Sequence, residues 1–126
     1  MKETVVEKSW GSETWFVNNH LYCGKLLKVN KGKYTSEGRF HYHKSKDETF
    51  FIISGLLLVD YVTLDNEFYS LTLKSGQAFR VEPNVKHRFT ALNEAGCIFI
   101  ETSTTHRDSD SYRCSWDSEK REWIES

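Results

Sequence analysis

Apolar residues in this chain come in short bursts, and a turn residue closes almost every one. "TWFV", "YCGKLLKV", "TFFIIS", "LLLVDYV", "FYSLTL", "AFRV", "HRFTAL" and "CIFIET" are rich in aromatic, branched and aliphatic side chains, as pleated strands require. Lys31-Gly32, Ser54-Gly55, Asp65-Asn66, Ser75-Gly76 and the Asn93 to Gly96 stretch separate them. Turn signals at a spacing of roughly 8–12 residues predict an antiparallel sandwich or barrel. No stretch before Thr104 sustains a helical period, while the tail "DSEKREWIES" is expected to form a short helix with a thin apolar face. Phe50–Ile53 and Leu56–Val59 read as a hairpin around Ser54-Gly55, buried on both faces. One proline and no low-complexity linker leave no internal boundary, so residues 1–126 are expected to form one all-β domain.

Composition changes this picture little. Aromatics make up 14% of the chain, enough large rings to fill a core despite 28% charged residues. A net charge of −1 offers no electrostatic handle for nucleic acid or an anionic membrane, so neither partner is expected. Cys23, Cys97 and Cys114 are an odd set without CxxC spacing, which points to reduced thiols in a cytoplasm. "MKETVVEKSW" has no apolar core of signal-peptide length, and no run approaches a membrane span. A soluble cytoplasmic protein is the expectation.

The chemistry concentrates in "GRFHYHKSKDETFFIISG", residues 38–55. Side chains alternate along a strand, so His41 and His43 share one face while Phe40 and Tyr42 take the other. Glu48 opens the next strand after a short polar loop and can return a carboxylate to that face. Two imidazoles and a carboxylate suit one divalent ion, with Zn, Mn, Fe, Co and Ni all compatible. His87 is a fourth candidate. It follows a tight turn in which Pro83 presets φ and Asn84 tolerates the left-handed conformation.

His41-x-His43-x4-Glu48-x6-Gly55 matches the first cupin motif, HxH(x)3–4E(x)6G, although Thr35 replaces the usual preceding glycine. Gly76 and His87 fall in register with the second motif, where Glu82, Asn84 and Ala91 replace its proline, second glycine and asparagine. The chain therefore resembles the cupins, which implies a jelly-roll β-barrel with His41, His43, Glu48 and His87 as metal ligands. "VEKSWGSETWFV", "VEPNVKHRF" and "IFIETSTTHRDSDSYR" extend the likeness to the cupin domain of type II mannose-6-phosphate isomerases. One position departs from that family: Arg39 stands where a glutamine is usual.

Glu101 shares a strand face with Phe99 and reads either as a general base near the metal or as a strand-end carboxylate in water. Arg39, Arg88, Lys44 and Lys46 are candidate phosphate contacts, each also readable as a solvated surface charge, with Arg39 favoured by its place beside the ligand pair. His106 reads as a surface histidine or as a support behind the ligands, and His20 has no partner. Trp10, Trp15, Trp116 and Trp123 lie toward the chain ends and are expected to pack the termini against the barrel or a partner subunit. The resemblance implies a homodimer and a metal-dependent isomerase of a sugar or sugar phosphate, with Glu101 and Glu48 as catalytic carboxylates. An Fe-dependent dioxygenase and a non-catalytic sugar-binding module are the alternatives.

Overall fold

A computed structural model describes residues 4–126. Its strands are β1 (Thr4–Lys8), β2 (Gly11–Asn18), β3 (Cys23–Val29), β4 (Phe40–Tyr42), β5 (Glu48–Ser54) and β6 (Leu56–Val62). They continue as β7 (Phe68–Lys74), β8 (Ala78–Val81), β9 (Lys86–Ala91), β10 (Cys97–Ser103), β11 (Tyr112–Asp117) and β12 (Glu122–Glu125). Two six-stranded antiparallel sheets, in the orders β1-β2-β3-β10-β5-β8 and β12-β11-β4-β9-β6-β7, pack as a jelly roll. Among the described residues no helix is long and apolar enough to cross a membrane.

Between the sheets lies a core of Phe50, Ile52, Leu57, Val59, Phe89 and Phe99, each at most 2% exposed. The rings of Phe50, Phe89 and Phe99 meet edge-on at 4.8–5.8 Å, the arrangement their quadrupoles favour. His87 packs against Phe50 and Phe89 from above, so this core forms the floor of the polar end of the barrel.

Two expectations from the sequence are corrected. β5 and β6 do follow one another around Gly55, yet they are not a hairpin: β5 pairs with β10 and β8, and β6 with β7 and β9 in the opposite sheet. β5 is not buried on both faces either, since Glu48, Phe50 and Ile52 point inward while Phe51 and Ile53 stand exposed. The tail is a β-hairpin, not a helix. Trp116 pairs with Trp123 across it, and both pack with Phe68. The polar stretch between them is a turn in which the Asp117 carboxylate accepts from the amides of Glu119 and Lys120. Trp116 and Trp123 thus pack the C-terminal hairpin as expected, whereas Trp10 enters the core and Trp15 faces the polar cavity.

Gly55 is where the chain changes sheets. Its φ is 87°, and an added Cβ would lie 2.4 Å from the Gly96 carbonyl oxygen. Gly76 has the same φ with nothing within 4 Å of the corresponding position. Gly55→Ala should therefore cost about 2–4 kcal/mol, combining left-handed strain with overpacking. Gly76→Ala should cost only about 1–2 kcal/mol. Urea denaturation of the two variants checks the ordering, and equal losses would remove the steric argument.

Candidate metal centre

Strand alternation delivers the histidines. His41 on β4 and His43 just past its end face inward with ring centroids 5.5 Å apart, while Phe40 packs outward with Val62 and Cys114. β9 pairs His87 directly opposite His41, and these two rings are 4.0 Å apart. The turn before β9 has Pro83 in second place and Asn84 at φ 73°, closed by the Val85 amide on the Glu82 carbonyl. The Asn84 amide also donates to the His43 carbonyl at 2.7 Å, locking the turn to the end of β4. Nitrogen atoms of His41, His43 and His87 lie within 4.8 Å of one another, so the three are positioned to bind a metal ion.

Glu48 enters from the opposite sheet. Its Oε1 lies 3.5 Å from His43 Nε2 and 3.6 Å from His87 Nε2, too long for hydrogen bonds. Glu48 Oε1 and His87 Nε2 are both buried and have no hydrogen-bond partner among the described residues. Leaving such atoms unsatisfied is costly, and one cation among them would satisfy both. The far ring nitrogens are already engaged: Nδ1–H of His43 donates to the Asp110 carbonyl at 2.7 Å, and that of His87 to the Val85 carbonyl at 3.0 Å. Each hydrogen bond fixes the tautomer that leaves Nε2 as a free donor atom for a metal. The donor set therefore fits a divalent ion.

Protonation agrees. Burial, with Lys46 next in weight, pushes His43 down to about 4, and burial pushes His87 down to about 3. His41 is driven well below the usual imidazole range by burial and by the other two rings. All three are neutral at pH 7, the form that ligates. Burial and the nearby Glu101 raise Glu48 well above the usual carboxylate range, and a bound cation would reverse that.

The structure also assigns Glu101 a place. It is 4% exposed on β10, and its Oε2 meets Lys46 Nζ at 2.7 Å in an ion pair. Burial opposes its charge, but the Lys46 and Lys25 ammoniums outweigh burial and hold it ionised. The reading of Glu101 as a carboxylate in water is thereby corrected. So is that of Lys46 as a surface charge, because it is 2% exposed and also reaches Glu48 Oε2 at 3.4 Å. Asp110 explains the inward turn: its carboxylate accepts from the amides of Lys44, Ser45 and Lys46, curling the loop.

A cavity of about 310 Å³ opens beside the histidines. Trp10, Leu27, Phe50 and Phe89 contribute apolar wall, and Lys8, Lys25, Lys46 and Arg113 contribute cations. His106 lines it too, edge-on to Trp15, with Nδ1 3.1 Å from Lys46 Nζ and Nε2–H donating to Asp108. Arg39, Arg88 and Lys44 do not line it. Arg39 donates to the Ser36 carbonyl, Arg88 pairs with Asp60, and Lys44 lies over the Tyr112 ring. His20 is exposed, away from the cluster. Sequence reasoning missed Lys25 and Arg113. Lys25 carried a usable signal, since it is in phase with the inward-facing Leu27 and Val29. Arg113 becomes visible only through its register opposite His41.

CapF in complex with the inhibitor 3-isopropenyl-tropolone superposes with a TM-score of 0.76 at 16% identity, over 88% of this chain and 33% of that one. Lactobacillus farciminis oxalate decarboxylase, in a formate complex, gives 0.75 at 19% identity, covering 87% and 33%. Bacillus subtilis oxalate decarboxylase, in a structure concerned with its Mn(II) centres, gives 0.77 at 16% identity, covering 89% and 30%. At these identities the likeness is one of fold, and the chain spans about a third of the length of each. No curated protein sequence matches the chain. None of these matches supports the narrower resemblance to type II mannose-6-phosphate isomerases. The cupin domain profile matches residues 25–107, which hold all four ligand candidates, and the chain belongs to the cupin family.

Proposed function

We propose that this cupin is a metal-dependent isomerase of a small sugar or sugar phosphate, with chemistry like that of the type II mannose-6-phosphate isomerases it resembles in sequence. One observation carries the reading: the buried Glu48 Oε1 and His87 Nε2 have no hydrogen-bond partner among the described residues, and Glu48 shares its cavity with an ionised carboxylate, Glu101. A divalent ion held by His41, His43, Glu48 and His87 would polarise a substrate carbonyl. Mn(II) in the B. subtilis decarboxylase supports a metal here, and imidazole with carboxylate suits Zn, Mn, Fe, Co or Ni alike.

The chain's own residues supply the rest. Glu101 is ionised at neutral pH and can accept a proton from the carbon beside the carbonyl, giving an enediolate, and return it to the adjacent carbon. Lys46 balances its charge before transfer and can hydrogen-bond a substrate oxygen afterwards. The apolar floor of Leu27, Phe50 and Phe89 excludes water from the reacting end. A volume near 310 Å³ is at the small end for ligand sites and suits a single sugar. Recognition of a phosphate would fall to Lys8, Lys25 and Arg113, because Arg39, Arg88 and Lys44 stand outside the cavity. Three buried, unpaired thiols suit a reducing cytoplasm, and we extend the reading to a cytoplasmic homodimer.

His41→Ala should weaken binding of Zn(II) or Mn(II) by more than the roughly 10–100-fold that loss of a supporting partner costs. Titration calorimetry measures this, and an unchanged affinity would remove His41 from the site. In D2O, the metal-loaded protein should place deuterium at C2 of mannose 6-phosphate or of a free hexose or pentose, and chelation should abolish the exchange. Glu101→Gln should slow it by roughly 100–10,000-fold. Metal binding without exchange on any sugar would favour a binding module. Oxygen uptake after anaerobic loading with Fe(II) would favour a dioxygenase.

A further inference from the structure

β9 carries His87 inward, and the residues after it grip the segment that leads into β4. The Thr90 hydroxyl donates to the Lys33 carbonyl at 2.6 Å, and the Phe89 amide donates to Thr35 Oγ1 at 2.9 Å. Arg88 Nη1 donates to the Gly38 carbonyl at 2.6 Å, while its Nε donates to Asp60 at 2.9 Å. Within this clamp the backbone is left-handed three times running, with φ 55° at Ser36, 56° at Glu37 and 87° at Gly38. Two of the three are not glycine, so the turn stores strain that its surroundings must hold.

The strain has a beneficiary. Ser36 Oγ lies 3.3 Å from Nδ1 of His41, and the Ser36 carbonyl is fixed by both the amide and the Nε–H of Arg39. His43 and His87 are oriented by backbone carbonyls, whereas His41 depends on this one hydroxyl. Arg88 sits over the rings of Tyr34 and Phe40 and does not line the cavity beside the histidines, yet it closes the clamp.

We propose that the Ser36–Gly38 turn is a positioning device for the metal centre: Arg88 pins it at Gly38, and Ser36 Oγ accepts from Nδ1–H of His41 so that Nε2 faces the other ligands. Ser36, Arg39 and Arg88 are therefore positioning residues. The assignment rests on the metal-centre reading and gives Arg39 and Arg88 a role in place of phosphate binding.

Ser36→Gly separates the two things the serine does, because glycine relieves the left-handed strain and deletes the hydroxyl. A turn of purely structural value would gain or keep thermal stability and leave the site untouched. The proposal requires stability kept or raised, with affinity for Zn(II) and Mn(II) falling about tenfold or more by calorimetry. In the metal-free protein, nitrogen-15 NMR should find His41 protonated at Nδ1, with the Ser36→Gly variant shifting toward a mixture of tautomers. Arg88→Met should reproduce the shift from outside the cavity. Unchanged affinity and tautomer in Ser36→Gly would overturn the proposal, as would a wild-type His41 protonated at Nε2. Failure of the wild type to bind either metal would instead overturn the metal-centre reading, leaving the metal-free tautomer to test the hydrogen bond alone.

Discussion

Everything at the polar end of this barrel depends on a debt of unmade hydrogen bonds. Glu48 Oε1 and His87 Nε2 face each other 3.6 Å apart, both buried and without a hydrogen-bond partner among the described residues. Burying one such atom typically costs about 1–3 kcal/mol, and a fold tolerates that only where something else recovers it. The surrounding hydrogen bonds direct the donor atoms inward instead of relieving them. Asp110, Val85 and Ser36 each occupy the far side of one imidazole, so each ring is turned toward the common centre.

Two sheets are needed for this. β4 and β9 contribute the imidazoles from one sheet, and β5 and β10 contribute Glu48 and Glu101 from the other. The site therefore exists only while the sheets stay packed, and the Phe50, Phe89 and Phe99 rings beneath it hold them together. Gly55 lets the chain pass from one sheet to the other directly after the strand that bears Glu48. The spacing of the motif is thus a consequence of barrel geometry: an inward carboxylate, an alternating strand, then a residue without a Cβ at the crossing.

That periodicity explains what could be read in advance. Strand parity is a local rule, so His41 and His43 could be placed on one face from spacing alone, and the all-β architecture followed from turn chemistry. Pairing partners are not local. Leu56–Val59 looks like the return strand of β5, but its partners, Leu71 and Phe89 among them, lie far along the chain. The tail looks helical because its Glu and Lys residues favour helix, until Trp123 finds Trp116 across a turn. Lys46 looks like a surface charge because nothing near it in sequence would bury it. Asp110, 64 residues away, does so by capturing its amide.

The buried set of Glu48, Glu101 and Lys46 amounts to one negative charge if both carboxylates are ionised. The excess is resolved unequally: Lys46 and Lys25 keep Glu101 ionised against its burial, while burial and the charge on Glu101 push the proton affinity of Glu48 upward. A divalent cation at the imidazoles would ionise Glu48 and turn the same set into one net positive charge, in an interior that cannot leave it unbalanced. The neighbouring cavity already carries Lys25 and Arg113; among the described residues Lys25 has a carboxylate, Glu13, within salt-bridge range and Arg113 has none. On the proposed reading, a bound metal would change what the cavity accepts, from a site neutralised by protonation to one that calls for an anionic or strongly polarised oxygen. Under that proposal metal binding and substrate selection would be one electrostatic event, set by a lysine that the Asp110 loop turns inward.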